Sequence, residues 1–160
     1  MIVNFRVDER LVHGQIVSTW LKYLDISHMI VANDMAAKDE LQKISLTMAI
    51  PSNIKCLITD VDAAIRVLSD PRSKDKKILV ICGNFSDVLK IITKIKDIRE
   101  INVANYGKLT NVNSNNKQVI SRALILGDED KENIKKIAAM GVSVIHQPLP
   151  SSPKKNLNNV

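Results

Sequence analysis

The order of apolar runs and helical patterns along the 160 residues predicts an α/β protein, a single open, mostly parallel twisted sheet of about seven strands with helices on both faces. Three observations carry that expectation. Runs such as Ile78-Leu79-Val80-Ile81-Cys82 are continuously apolar rather than alternating, as strands buried on both faces require. Segments with helical spacing fall between them, for example Val88, Leu89, Ile91, Ile92 and Ile95. A hydrophobic content of 45% in a chain of one domain's length is ample for one core covered on two sides.

The elements follow in order. Met1 to Val7 reads as a buried strand, and Ile16, Val17, Trp20, Leu21 and Leu24 predict a helix ending near Asp25. His28 to Ala32 is a second strand, after which Asn33 or Asp34 caps a helix beginning near Ala36. Its Leu41, Ile44, Leu46 and Met48 suit one buried face, and Pro51 stops it before a strand from Ile54 to Ile58. Asp60 or Asp62 caps the next helix, closed by Pro71 and a solvated run from Arg72 to Lys77. Ile78 to Cys82 is the central strand, and Gly83 to Asp87 turns into another helix. Glu100 to Ala104 is a fifth strand, 105–116 a polar loop, and Lys117 to Leu126 extended again. Asp128, Glu129 and Asp130 open the last helix where its dipole favours negative charge, and Gly141 suits a left-handed cap before a strand from Val142 to His146. Residues 1–150 are expected to form the domain and 151–160 a flexible tail, because the latter holds prolines, lysines and asparagines with little apolar content.

Composition excludes several classes. The net charge is +6, but the lysines are interspersed with acids and aromatics are 3%, which leaves little for base stacking, so no nucleic acid is expected. Cys56 and Cys82 sit in apolar runs without Cys-x-x-Cys spacing, reading as reduced core residues rather than a disulfide or metal site. Charges at Arg6, Asp8, Glu9 and Arg10 break the amino-terminal apolar run a signal peptide needs, and no run is long enough to span a membrane, so a cytoplasmic protein is expected. Neither G-x-x-x-x-G-K-[ST] nor G-x-G-x-x-G occurs, and no cofactor or metal is expected.

Chemistry concentrates in Arg6-Val7-Asp8-Glu9-Arg10-Leu11-Val12-His13-Gly14-Gln15. His13 falls in a strand-to-helix turn, where ligands of open α/β sheets sit and where free N–H groups favour an anion. Gly14 lets backbone approach such an anion, and Arg10 offers a two-pronged donor for phosphate or carboxylate. Beside Arg10 and a helix start, His13 is expected to be neutral near pH 7 and therefore a nucleophile or base. The plainer alternative is a solvated or capping histidine. Asp8 or Glu9 could orient Arg10 or the imidazole, with Asp8 favoured by its alternation with Arg6 and Arg10; Arg6 reads as a structural ion-pair partner. His28 and His146 read as structural.

The run from Arg6 to Gln15 resembles the phosphorylation loop of the mannose/sorbose-class enzyme IIB component of the bacterial phosphoenolpyruvate:sugar phosphotransferase system, and weaker matches extend in order to about Pro150. Asp8 to Leu11 and Val31 to Asp34 look closer to its N-acetylgalactosamine/galactosamine branch. The resemblance implies that His13 takes a phosphoryl group from phosphohistidine on enzyme IIA, through Nδ1, and passes it to a hexose or amino sugar held by the membrane components enzyme IIC and enzyme IID. On that view the protein is peripherally associated with the permease, Arg10 and the Gly14 and Gln15 amides bind the phosphoryl oxygens, and Asp8 supports them. A homodimer counts among the assemblies considered, and the basic surplus is expected to steer docking to an acidic partner. Two other readings of the residues stay open: a hydrolase or isomerase using His13 as general base, and a regulatory module that binds an anion without covalent change.

Overall fold

The structure, a computed structural model, describes residues 1–109 and 116–160. Nine strands are formed among them: β1 (Ile2–Asp8), β2 (His28–Ala32), β3 (Lys55–Thr59), β4 (Ile78–Cys82), β5 (Glu100–Asn105), β6 (Gln118–Ser121), β7 (Leu124–Leu126), β8 (Ser143–His146) and β9 (Lys155–Asn156). Seven of these make one open sheet in the order β3-β2-β4-β1-β5-β8-β9. All its neighbours are parallel except β8 and β9. The central position expected for Ile78–Cys82 holds, since β4 lies between β2 and β1 and is buried along its whole length.

Helix α1 begins as a π-helical turn, Ile16–Trp20, and continues as α-helix Leu21–Leu24; α2 (Asp34–Lys38), α3 (Glu40–Met48), α4 (Val61–Ser69), α5 (Phe85–Lys94) and α6 (Asp128–Ala139) follow. The two sheet faces carry separate apolar cores, as the side-chain alternation of a strand demands. In β4, Ile78, Val80 and Cys82 pack with residues of α4, α5 and α6, whereas Leu79 and Ile81 pack with Ile16, Trp20 and Leu21 of α1, Ala36 of α2 and Leu46 of α3. Helix starts use the caps foreseen: Asn33 accepts from the Ala36 amide and Asp60 from the Ala63 amide. Gly141 has φ +81°.

Three expectations are corrected. The single helix expected from Ala36 breaks at Asp39, which is extended and caps α3 through the Gln42 amide. That break resets the helical phase. Leu46 and then Ile50 face the core, while Leu41, Ile44 and Met48 are exposed, Leu41 and Met48 by about 80%. The extended run to Leu126 is not one strand but an antiparallel hairpin, β6–β7, outside the main sheet and joined to the end of β5 by a Tyr106–Leu124 bridge. Of the loop expected over 105–116, residues 110–115 lie outside the described residues. Lastly, the segment expected as a loose tail is docked: β9 pairs with β8, Leu157 is fully buried, and the Val144 amide donates to Asn158 Oδ1. One leucine at the right spacing is enough to seat a short polar segment on a sheet edge.

His28 bonds Ser27 at the rim, and His146 is buried with Nδ1 against the Val103 carbonyl (2.6 Å) and Nε2 against Ser121 Oγ (2.8 Å). Both serve the scaffold. Cys56 and Cys82 are free thiols, and burial pushes Cys56 up to about 11.

Candidate functional site

Connections from β1 run toward β2 and β3 on one side, whereas β4 returns across to β5, so the carboxyl end of β1 lies where the winding of the sheet reverses. Such a point opens a crevice for ligands. Asp8 ends β1, and opposite it in register stands Asn105, the last residue of β5. The turn that follows doubles back, with the Leu11 amide on the Asp8 carbonyl at 3.0 Å. Leu11 holds φ +58°, uncommon for a branched side chain, and its side chain is buried in the core that Ile16, Trp20 and Leu21 of α1 share. This returns His13 onto Asp8.

The result is a compact polar cluster at the sheet's mouth. Asp8 Oδ2 accepts from Arg6 Nε (3.2 Å) and Nη2 (3.1 Å), from Asn105 Nδ2 (2.8 Å) and from His13 Nε2 (2.7 Å); Oδ1 accepts the Arg10 backbone amide (3.0 Å). Arg6 and Asp8 are buried, and His13 is 9% exposed. Burial alone would push the Asp8 carboxyl up, but the hydrogen bond from His13, the Arg6 charge and the Asn105 amide together hold it below the usual carboxylate range. Burial draws the Arg6 guanidinium down from its ordinary value, against the pull of Asp8. Its Nη2 also reaches Gln15 Oε1 at 3.4 Å, and its plane lies over the Trp20 ring, 5.5 Å from the centroid.

The tautomer of His13 follows from this network. An ionised Asp8 can only accept, so in the neutral ring Nε2 carries the proton and Nδ1 the lone pair. His13 Nδ1 is buried with no hydrogen-bond partner. A buried polar atom without a partner is costly in a scaffold but useful in a site, because it is a nucleophile or acceptor held in reserve.

The expected site residues are brought together unevenly. Of the two acids expected to orient Arg10 or the imidazole, Asp8 lies against the His13 ring, and its only contact with Arg10 among the described residues is to the backbone amide. Arg6 is the ion-pair partner anticipated. The Arg10 side chain is exposed, and among the described residues its guanidinium has no partner. The Gly14 and Gln15 amides, first in the helix, find no acceptor among the described residues, as the opening N–H groups of a helix do. Gly14 itself has open space where a Cβ would go, so nothing in the protein demands glycine there; only an approaching ligand could. Glu9 does not orient Arg10 or His13: its carboxylate accepts the amides of Gly107, Lys108 and Leu109 at 2.9–3.0 Å. Asn105 was missed as a site residue. Its polarity at the end of a buried strand next to β1 is the signal that could have found it. The basic run Arg72 to Lys77 precedes β4 and so lies at the end of the sheet away from His13, where it does not face the mouth. Among the described residues no group of side chains could hold a metal ion, and no helix is long and apolar enough to cross a membrane.

Comparison with known proteins identifies the family. The family model described as the sorbose subfamily IIB component of the phosphotransferase system matches residues 2–160. A probable phosphotransferase enzyme IIB component of Streptococcus pyogenes is 37% identical over 161 residues, covering all of this chain and 99% of that protein. The mannose-specific EIIAB component of Escherichia coli is 28% identical over 93% of this chain, which spans 45% of that longer protein. A crystal structure of a phosphotransferase-system-dependent N-acetylgalactosamine IIB component from Streptococcus pyogenes superposes with a TM-score of 0.84 at 27% identity, covering 99% of this chain and 97% of that one. The chain therefore belongs to the sorbose-subfamily IIB components of the bacterial sugar phosphotransferase system, whose role is phosphoryl transfer in sugar uptake.

Proposed function

We propose that this chain is a phosphocarrier whose His13 accepts a phosphoryl group on Nδ1 from phosphohistidine on an enzyme IIA partner and passes it to a sugar bound by enzymes IIC and IID. The observation that carries the reading is the asymmetry of the imidazole: Nε2 is tied to Asp8 at 2.7 Å, and Nδ1 has a lone pair and no partner. In the first step the Nδ1 lone pair attacks phosphorus in line. The N–P bond of the donor breaks, its electron pair returns to the donor imidazole, and the positive charge that develops on the His13 ring is shared through Nε2–H with ionised Asp8. In the second step a sugar hydroxyl oxygen attacks, the Nδ1–P bond breaks, and the hydroxyl proton leaves to solvent or to a base on the permease.

Phosphoryl transfer asks mainly for positioning and charge stabilisation. Exposed Arg10 closes over the equatorial oxygens, and the Gly14 and Gln15 amides, without an acceptor among the described residues, hydrogen-bond them. Because Nδ1 is covered, docking of the donor must shift the 9–14 turn or rotate the ring. The curated mannose relative joins an A and a B unit in one chain, which supports an enzyme IIA partner. Association with the membrane comes through the permease, and no metal or cofactor enters either step. Resemblance at Asp8 to Leu11 and Val31 to Asp34, together with the N-acetylgalactosamine component among the structural relatives, favours an amino sugar.

The test is intact-mass analysis after incubation with phosphoenolpyruvate, the general proteins of the system and an enzyme IIA. A gain of about 80 Da, one HPO₃, is expected, acid-labile and absent from His13→Ala. An unchanged mass would leave the regulatory-module reading, and turnover of a small molecule without a phosphorylated donor the hydrolase or isomerase reading.

A further inference from the structure

Glu9 lies one residue beyond Asp8 yet turns away from it. Its own amide donates to the Asn105 carbonyl at 2.8 Å, and its carboxylate closes a ring on the far side of that residue. Oε2 accepts the Gly107 amide (3.0 Å), and Oε1 accepts those of Lys108 and Leu109 (2.9 Å each). Successive backbone N–H groups converging on one anion form a nest, whose local positive field is here filled by the chain's own carboxylate. The turn is also rigid from the other side. Gly107 has φ +92°, a Cβ there would lie 2.0 Å from the Ile125 carbonyl oxygen, and Tyr106 is bonded through its backbone to Ala123 and Ile125. Tyr106 OH donates to buried Asp130 at 2.8 Å. Asn105 is thus the one residue of this turn whose side chain reaches the histidine cluster, at 2.8 Å from Asp8 Oδ2 and 3.2 Å from His13 Nε2.

We propose that Glu9 is a positioning residue for phosphoryl transfer, acting through the 105–109 turn to keep Asn105 on the oxygen that holds His13. The inference rests on the reading of His13 as the phosphoryl acceptor. The physical reason is crowding at Asp8 Oδ2. Four donor contacts share that oxygen, so the Asn105 amide limits how closely the carboxylate can draw the imidazole and fixes the angle of the ring. Release of the turn frees Asn105, and the ring loses the fixed hold on Asp8 from which docking brings Nδ1 to the donor phosphorus. Displacement of a reacting atom by a fraction of an ångström to an ångström is enough to lower rates by one to two orders of magnitude.

The experiment compares Glu9→Ala, Asn105→Ala and the double variant, each shown folded by circular dichroism. Transfer from phosphorylated enzyme IIA is followed, and nitrogen NMR reads the His13 ring and the Asn105 side-chain amide. Glu9→Ala is expected to lower kcat by about tenfold with KM for the donor within about twofold, to move both NMR signals, and to add no further loss in the Asn105→Ala background. Glu9→Asp, which keeps the anion, should recover part of the rate. Equal losses from Glu9→Ala in both backgrounds, or His13 and Asn105 signals unmoved by it, would overturn the proposal. Should the wild-type chain take up no phosphoryl group, the phosphocarrier reading fails, whereas the NMR comparison still decides whether Glu9 governs Asn105 and His13.

Discussion

Asp8 Oδ2 and His13 Nε2 stand 2.7 Å apart, five residues from each other in the chain and brought together by a turn that holds Leu11 at φ +58°. That contact selects the tautomer, and its loss has two separable effects. Asp8→Asn keeps the shape but can present either a donor or an acceptor, so the ring is no longer committed to a free Nδ1. Phosphoryl transfer should fall by roughly 10³-fold or more, in line with the replacement of a buried orienting carboxylate elsewhere. Asp8→Ala in addition leaves buried Arg6 without its counter-ion, and should cost about 3–5 kcal/mol in urea denaturation.

Acid should weaken the fold in two stages. His146 is held below its ordinary value, first by burial and then by Lys155 and Arg6, against the Val103 carbonyl. A depressed pKa means the unfolded chain binds the proton more readily. The His146 contribution is therefore present above about pH 6.5 and declines as pH falls through its lower folded value. The Asp8 carboxyl is also depressed, so its share persists to about pH 4 and is lost below that. Denaturation midpoints measured from pH 8 to pH 3 should fall in both windows, and His146→Gln should flatten the first.

Two glycines should respond differently to alanine. At Gly107 a Cβ would strike the Ile125 carbonyl and sit at φ +92°, so Gly107→Ala should destabilise by about 1–3 kcal/mol. At Gly14 there is open space and no positive φ, so Gly14→Ala should leave the melting temperature nearly unchanged. If the phosphoryl group approaches the helix start closely, Gly14→Ala should slow transfer all the same. A stable, fully active Gly14→Ala would remove that amide from the phosphate site.

Arg10 is exposed and among the described residues unpaired, which fits a group that engages only when phosphate arrives. Arg10→Ala should lower the rate of transfer by about 10²-fold while the dissociation constant for unphosphorylated enzyme IIA changes little. Comparable losses in rate and docking would make Arg10 a docking residue instead.

Much of this protein is determined by the sequence alone. Continuous apolar runs separated by helical patterns require a parallel sheet covered on both faces, and side-chain caps such as Asn33 and Asp60 mark where helices begin, because both are local effects. The loop from Arg6 to Gln15 likewise carries its chemistry in its residue types. Tertiary structure decided everything that depends on distant partners. Asn105 joins the site only because β5 lies beside β1, and Glu9 leaves it because three amides 98–100 residues away offer a better anion nest. Leu41 and Met48 face solvent because a break at Asp39 changed the helical phase, and Leu157 is buried because β8 had an open edge. Periodicity records which side of an element is apolar, but what that side meets is set by the order in which strands assemble.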